Sequence, residues 1–412
     1  MTLAPRTPRT PRTLVLAGHG MAGHRLVEEL RALDPAGSWR VVVLAEEPHP
    51  AYDRVALSSY LDGRTAADLS LPAPGLTSDP RVELRLATAV ASIDRTARTV
   101  TTTAGDTIGY DALVLATGSK PFIPPVPGHD LPGCFAYRTL TDLDAIREAS
   151  VPGSPGVVIG GGLLGLEAAN ALRLLGMEPH VVELAPRLMP LQVDAAGGGV
   201  LGQRVAERGL HAHCGVATAA VQPGPDGRAS AVTLADGTVL PASVVVFSAG
   251  VRPRDELAGP ANLDRGERGG FLVDALCRTD DERIWAIGEC AAVAGRCYGL
   301  AAPGYRMAES VARQLLGLGA EPFEQADMST KLKLLGVEVA SFGDAHANAE
   351  GSLELSRLDE AQGTYAKLVL DADCRTLLGG ILVGDAQAYA DLLPFVGRPA
   401  PSAAHRLLAP AS

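Results

Sequence analysis

The chain has 412 residues, with 36 Lys and Arg against 47 Asp and Glu, a net charge of −11 at pH 7. With 47% hydrophobic and 20% charged residues, it has the composition of a globular protein of two or three domains, and bulk disorder is excluded. No run reaches the ~18 apolar residues of a membrane span, and the acidic balance argues against nucleic acid or an anionic membrane as the main partner. Basic charge is carried by 32 Arg and 4 Lys, a pattern of codon bias rather than of arginine chemistry. The six cysteines contain no C-x-x-C pair and no zinc-ligand spacing, as expected of a reduced, cytoplasmic protein.

The first thirteen residues repeat Pro-Arg-Thr. They hold nothing to bury and predict a disordered tail, and they lack the apolar core of a signal peptide. Leu14 to Ala17 is a short apolar run. It leads into Gly18-His19-Gly20-Met21-Ala22-Gly23, a helical pattern to Leu33, and a second apolar run from Arg40 to Ala45 that ends in Glu46. Val82–Leu84 and Thr99–Thr101 alternate like antiparallel strands, and Ala112–Ala116 reads as a buried strand. The Pro-rich piece 121–128 predicts an extended linker.

A second copy of the first pattern starts at Val157. An apolar strand enters Gly160-Gly161-Gly162-Leu163-Leu164-Gly165, a helix runs to about Leu175, and Pro179–Val182 ends at Glu183. Two strand–turn–helix–strand units in one chain predict an α/β fold with two Rossmann-like dinucleotide-binding domains. Val244–Gly250 repeats an earlier strand-to-glycine pattern. Ile284–Glu289 and a helix from Met307 to Leu316 follow. From about Ala326, strands such as Ala366–Leu370 and a helix near Ala386–Leu393 predict a small C-terminal α+β domain. The expected boundaries are 1–13 for the tail, 14–120 with 244–325 for one dinucleotide domain, 121–243 for the other, and 326–412 for the C-terminal domain.

In G-x-G-x-x-G the first glycine makes the tight turn, the second lets backbone approach a pyrophosphate, and the third lets helix and strand pack closely. Here each copy has its strand before, its helix after, and an acid closing the next strand. Glu46 lies 28 residues after Gly18 and Glu183 lies 23 after Gly160, close to the roughly 20 expected of a ribose-binding carboxylate. Two such sites suggest a tightly held FAD and a transient nicotinamide, with hydride passing between them. A carboxylate at Glu183 favours NADH and still admits NADPH. Arg187 is nearby and reads as a solvated loop charge.

Gly18–Gly23, Ala116-Thr117-Gly118-Ser119, Gly160–Gly165 and Ala286-Ile287-Gly288-Glu289 together resemble the pyridine-nucleotide-dependent flavin oxidoreductases of the glutathione-reductase-like FAD/NAD(P) fold. The stretches 18–25, 51–58, 298–305 and 330–341 resemble more narrowly the FAD/NAD(P)H part of the assimilatory nitrite reductase large subunit. The similarity runs from about Leu14 to Phe395. It implies that Gly18, Gly20, Met21, Ala22 and Gly23 wrap the FAD pyrophosphate and that Glu46 takes the adenosine ribose. Arg54 is implied near the FAD phosphates, Ala116, Thr117 and Gly118 along the cofactor, and Gly288 with Glu289 at its ribityl chain. Ser58, Val90 and Gly250 join this cofactor-binding set. Gly160, Gly162, Leu163, Leu164, Gly165 and Glu183 would hold the nicotinamide coenzyme.

Related rubredoxin- and ferredoxin-type reductases place a Lys after Leu-Ser, paired with a Glu near the flavin; this chain has Ser59. Glu167, given the catalytic place, therefore stands without that partner at the nicotinamide or caps local backbone. The segment after Ala326 has only Cys374, short of the four thiolates of an iron–sulfur cluster, so siroheme reduction of nitrite is not expected of these residues. No cysteine pair follows the first helix, which argues against disulfide reductase chemistry. Cys290 and Cys297 read as small buried residues rather than a redox pair, and His19 and His24 as local hydrogen-bonding groups. The resulting expectation is an NAD(P)H-dependent FAD reductase, monomer or homodimer, delivering electrons to a separate protein. A small-molecule reductase and a redox-sensing flavin-binding partner protein are the alternatives.

Overall fold

The computed structural model describes residues 11–401 and 404, apart from 73–75, 77, 320, 325 and 335. The described residues of Met1–Ala56, Thr65–Lys120 and Val251–Ala326 form one compact unit, and those of Leu57–Arg64, Pro121–Gly250 and Asp327–Ser412 form a second.

The first unit is built on a five-stranded parallel sheet. Its order is Ile284–Ala286, Ala112–Leu115, Arg12–Ala17, Trp39–Leu44, Val82–Arg85. The central strands are apolar on both faces because both faces are covered: Leu14, Val15, Leu16, Val41, Val42, Val43, Leu113 and Val114 are wholly buried. The helix Met21–Leu33 packs on this sheet through Leu26, Val27 and Leu30, and the helix Ala301–Leu315 runs beside it. That second helix starts six residues before the expected Met307. Pro303 lies in its first turn, where a missing N–H is harmless.

Two expectations change here. Arg12 and Thr13 belong to the first strand rather than a tail. The Arg12 guanidinium lies 4.0 Å over the Trp39 ring and donates to the Leu315 carbonyl, so cation–π attraction orders what composition reads as disordered. Residues 1–10 lie outside the described residues. Val82–Arg85 is a parallel edge strand, its alternation reflecting half-burial at the sheet edge. Thr99–Thr102 does lie in an antiparallel sheet, between Val90–Asp94 and Thr107–Gly109.

The second unit repeats the plan, with the order His211–Cys214, Glu178–Glu183, Pro155–Ile159, Val244–Phe247, Cys134–Ala136, all parallel. Val244–Phe247 is thus interior to the second sheet, not the opening of the first unit's return segment. Its four apolar residues match either sheet, and only the register of Gly156 on Val244 decides. The piece Leu57–Arg64 also goes with this unit: the Tyr60 hydroxyl donates to Asp144, and its carbonyl accepts from Arg147.

The C-terminal segment is an antiparallel sheet of Thr330–Leu334, Val337–Gly343, Thr376–Gly384, Thr364–Leu370 and Leu353–Asp359, with Arg398–Pro399 pairing the start of its central strand. The helix expected near Ala386–Leu393 is one turn, Tyr389–Leu392, passing into a 3-10 turn at Pro394. The segment clusters with the second dinucleotide half instead of standing apart. Asp194 caps the helix Ala195–Ala206 through the Gly197 N–H and also accepts from Tyr365 and Lys367. The buried Lys367 ammonium reaches Glu354 at 2.8 Å on its other side. Burial alone would raise the Asp194 carboxyl, but these donors hold it below the ordinary carboxylate range. Among the described residues, no helix is long and apolar enough to cross a membrane.

Candidate dinucleotide sites

In both units the strand order reverses beside the strand that carries the glycine motif, between Arg12–Ala17 and Ala112–Leu115 and between Pro155–Ile159 and Val244–Phe247. A crevice at the carboxyl ends of strands opens at such a point, and ligands of open α/β sheets bind there.

The two glycine turns are built alike. Gly18 has φ +109° and Gly160 has φ +113°, which side chains rarely adopt. A Cβ on Gly18 would lie 2.2 Å from the Ala116 carbonyl oxygen, and one on Gly160 would lie 2.3 Å from that of Ser248. The third glycines touch the first: a Cβ on Gly23 would meet the Gly18 oxygen at 2.5 Å, and one on Gly165 the Gly160 oxygen at 1.9 Å. The second glycines differ. Cβ atoms on Gly20 and Gly162 would meet nothing within 4 Å. Each is the N-cap of its helix, with no side-chain cap and no acid in the first turn. The backbone N–H groups of a first helical turn have no intrahelical acceptors, and here no carboxylate competes for them. The residues present therefore fit a dinucleotide: two glycines closed by packing, one left open, and an anion-seeking helix end behind it.

Around the first turn, Ala22 lies against Gly288, whose added Cβ would meet that of Ala22 at 3.1 Å. The Gly288 N–H donates to the Met307 sulfur. Glu289 accepts from Ser119 at 2.8 Å, and its charge reaches Arg54. Arg54 donates to Glu47 at 2.6 Å and lies over the Tyr52 ring, so it is a half-buried, paired cation rather than a solvated one. Thr117 donates to the Arg254 carbonyl at 2.6 Å, and Gly118 accepts from the Arg254 N–H. Arg254 in turn pairs with the exposed Glu46. Val90, at the start of the Val90–Asp94 strand, packs partly buried against this unit's core.

The acids of the two copies are not equivalent. The Gly18 N–H donates to the Leu44 carbonyl, as the Gly160 N–H donates to that of Val182. Ala45 therefore occupies the place of Glu183, and Glu46 stands one residue beyond it. Glu47, which takes the Tyr52 hydroxyl and Arg54, is the carboxylate that sequence spacing passes over; the motif Ala51-Tyr52-Asp53-Arg54 is its only signal.

In the second unit Glu183 ends its strand. One oxygen accepts the Gly161 N–H at 2.6 Å and the other the Ala185 N–H at 2.7 Å, so the carboxylate is fixed at the lip of the glycine turn. Leu163, Leu164 and Gly165 form the first turn of the helix Leu163–Leu174. Glu167 follows on that helix. Its carboxyl makes no hydrogen bond among the described residues, and burial pushes it up to about 7. Burial raises the Tyr137 hydroxyl, the Glu167 charge adds to that, and Ser58 opposes it. Glu167 is therefore not a backbone cap. Gly250, with φ +108° and open space at its Cβ position, accepts from the Phe122 N–H.

The cysteines and histidines of the first unit behave differently from one another. All six cysteines are free. Cys290 donates to the Leu115 and Ile287 carbonyls and Cys297 to that of Gly269. Burial pushes both thiols up, that of Cys297 to about 11, far from a reactive thiolate. His24 bonds the Pro72 carbonyl. His19 finds no partner among the described residues, and burial with His24 beside it lowers its pKa to about 4.

Residues 12–313 match the pyridine nucleotide-disulphide oxidoreductase family model, and residues 329–397 match the rubredoxin NAD+ reductase C-terminal domain. The nitrite reductase [NAD(P)H] large subunit of Klebsiella oxytoca is 49% identical over 404 residues, which is 98% of this chain and 42% of that protein. The chain thus spans less than half the length of that relative. The rubredoxin-NAD(+) reductase of Alcanivorax borkumensis is 32% identical over 90% of this chain and 95% of its own. The crystal structure of a ferredoxin reductase from Rhodopseudomonas palustris superposes with TM-score 0.85 at 28% identity, covering 97% of each chain. The chain belongs to the pyridine nucleotide-disulphide oxidoreductase family, and is an oxidoreductase with FAD and NAD(P)H as its cofactors.

Proposed function

We propose that the first unit holds FAD, the second takes NADH, and the electrons leave to a separate protein, a nitrate- or nitrite-reducing partner in the cytoplasm. One observation carries the reading: two glycine turns with the same closed–open–closed pattern, each backed by an uncapped helix end. Gly18, Gly20, Met21, Ala22 and Gly23 would hold the FAD pyrophosphate, with Arg54 offsetting its charge and Gly288 and Glu289 meeting the ribityl chain. Gly160, Gly162, Leu163, Leu164 and Gly165 would hold the coenzyme pyrophosphate, and Glu183 its ribose hydroxyls. Bound FAD supplies an acceptor for the coenzyme's hydride and a donor to one- or two-electron acceptors. The chain's own task is then binding and alignment, which hydride transfer requires more than an acid or base. The free, unreactive cysteines agree with an external acceptor.

The test mixes FAD-loaded protein with NADH and an artificial electron-accepting dye. Dye-dependent bleaching of NADH is expected, and a yellow protein that reduces no dye would overturn the reading. Pull-down under reducing conditions, followed by reconstitution with the captured protein, distinguishes a protein acceptor from a small-molecule substrate.

A further inference from the structure

Four residues beyond Glu183 lies Arg187, on the loop that leaves the same strand. A cation at such a place would ordinarily attract the extra phosphate of NADPH. The structure shows it occupied elsewhere. Its Nε donates to the Val193 carbonyl at 2.9 Å, and its aliphatic stem lies over the backbone of the helix Ala195–Ala206 at Gly198. A Cβ on Gly198 would sit 2.8 Å from the Arg187 Cδ, 2.9 Å from its Cβ and 3.3 Å from its Cγ. The stem fits there because residue 198 has no side chain. The helix itself is anchored at its N-cap by Asp194, tied to Tyr365 and Lys367, so the slot is a fixed wall. Beside it opens a cavity of about 260 Å³, lined by Pro186, Arg187, Gly199, Gly202 and Cys214 among others, into which a displaced side chain could move.

We propose that Gly198 is a specificity-determining residue of this site. It parks Arg187 against the helix, so that the adenosine ribose meets the Glu183 carboxylate without a compensating cation. The reasoning is one of competing charges. A carboxylate held by two backbone N–H groups accepts from ribose hydroxyls and repels a 2′-phosphate. A free guanidinium on the same loop would offset that repulsion and could bind the phosphate through two parallel hydrogen bonds. Filling the slot at residue 198 expels the stem, with a few tenths of an ångström of loop movement to clear the Arg187 Cβ, and releases the guanidinium. This inference rests on the proposal that the second unit takes NADH.

Binding of 5′-AMP and of 2′,5′-ADP to the full chain, measured by calorimetry, reads the discrimination without turnover. In the parent protein 5′-AMP binds more tightly. Arg187→Met leaves the ratio of the two dissociation constants within about twofold, because the parked cation contributes nothing to it. Gly198→Ala lowers the ratio about tenfold in favour of 2′,5′-ADP, the effect of one new charge-assisted pair between guanidinium and phosphate. Gly198→Ala combined with Arg187→Met restores the parent ratio, since the shift requires the released arginine.

A folded Gly198→Ala protein with an unchanged ratio overturns the proposal. So does an Arg187→Met protein that discriminates more than threefold further against 2′,5′-ADP, since Arg187 would then already reach the phosphate. Should Gly198→Ala not fold, the Arg187→Met ratio decides alone by the same limits. A parent that prefers 2′,5′-ADP refutes the NADH reading, whereas the Arg187→Met ratio still judges the latch.

Discussion

The two glycine turns share a skeleton and differ in how each holds its acid. In the second unit Glu183 sits at the strand end and is clamped by two backbone N–H groups, that of Gly161 in the glycine turn and that of Ala185 just beyond the strand. In the first unit the equivalent place is Ala45, and the acids beyond it are committed to arginines: Glu46 to Arg254, Glu47 to Arg54. A carboxylate held by backbone presents its remaining lone pairs to whatever enters and leaves. One neutralised by a guanidinium belongs to a network with several fixed partners. The difference matches a coenzyme that exchanges at each turnover in the second unit and a cofactor that stays in the first.

The largest effects come from closing the turns. Gly165→Ala places a methyl 1.9 Å from the Gly160 oxygen, and Gly18→Ala one 2.2 Å from that of Ala116, at a φ that strains any side chain. Each is expected to weaken its own cofactor at least a hundredfold, about 2.7 kcal/mol. Gly165→Ala protein should stay yellow but fail to bind 5′-AMP, and Gly18→Ala protein should be colourless but bind it. Absorbance at the flavin bands with calorimetry separates the two, and loss of both ligands by either variant would break the assignment of one ligand to each unit.

Next come the open positions. Gly20→Ala and Gly162→Ala meet no protein atom, so melting temperatures should move by only a degree or two. Cofactor affinity should fall by about tenfold or more, because the added methyl stands where a pyrophosphate approaches. A large drop in melting temperature with normal affinity would mean that these glycines serve folding. Smaller again is the contrast between acids. Glu183→Gln should weaken 5′-AMP binding about fivefold to tenfold, roughly 1 kcal/mol, the net worth of an ordinary hydrogen bond. Glu46→Gln, at an exposed and already paired carboxylate, should change FAD retention less than threefold.

Much of this is legible in the sequence, for a physical reason. A glycine turn between a buried strand and a helix tolerates few alternatives, so Gly18–Gly23 and Gly160–Gly165 declare themselves by spacing alone. Apolar strands do not declare their sheet. Val244–Phe247 carries four buried apolar residues that satisfy either core, and its partner Gly156 lies far away in the chain. Spacing locates the acids to within one residue and misses that register shifts Glu46 past the place of Glu183. Arg187 reads as a solvated charge because nothing in a loop sequence says that a glycine eleven residues on will receive its stem. The association of the C-terminal sheet with the second unit is hidden similarly, in a lysine and a tyrosine that reach a helix cap.

The most diagnostic effect concerns Glu167. In the relatives with a Lys after Leu-Ser that carboxylate has a cationic partner; here Ser59 stands in that place, and burial without a neutralising charge raises it to about 7. An acid raised on folding is protonated in the folded state over a range where the unfolded chain has already lost the proton. Its contribution to stability is full below the unfolded value near 4.5 and is lost as pH rises through about 7. Glu167→Gln, permanently neutral and of the same shape, should therefore flatten the decline in melting temperature between about pH 5 and pH 8 expected of the parent. Returning the cation with Ser59→Lys should lower the carboxyl and shift that decline to more acidic pH. If Glu167→Gln leaves the slope unchanged, the carboxylate is solvated in solution, and the contrast between a guarded acid in the first unit and an unguarded one in the second loses this support.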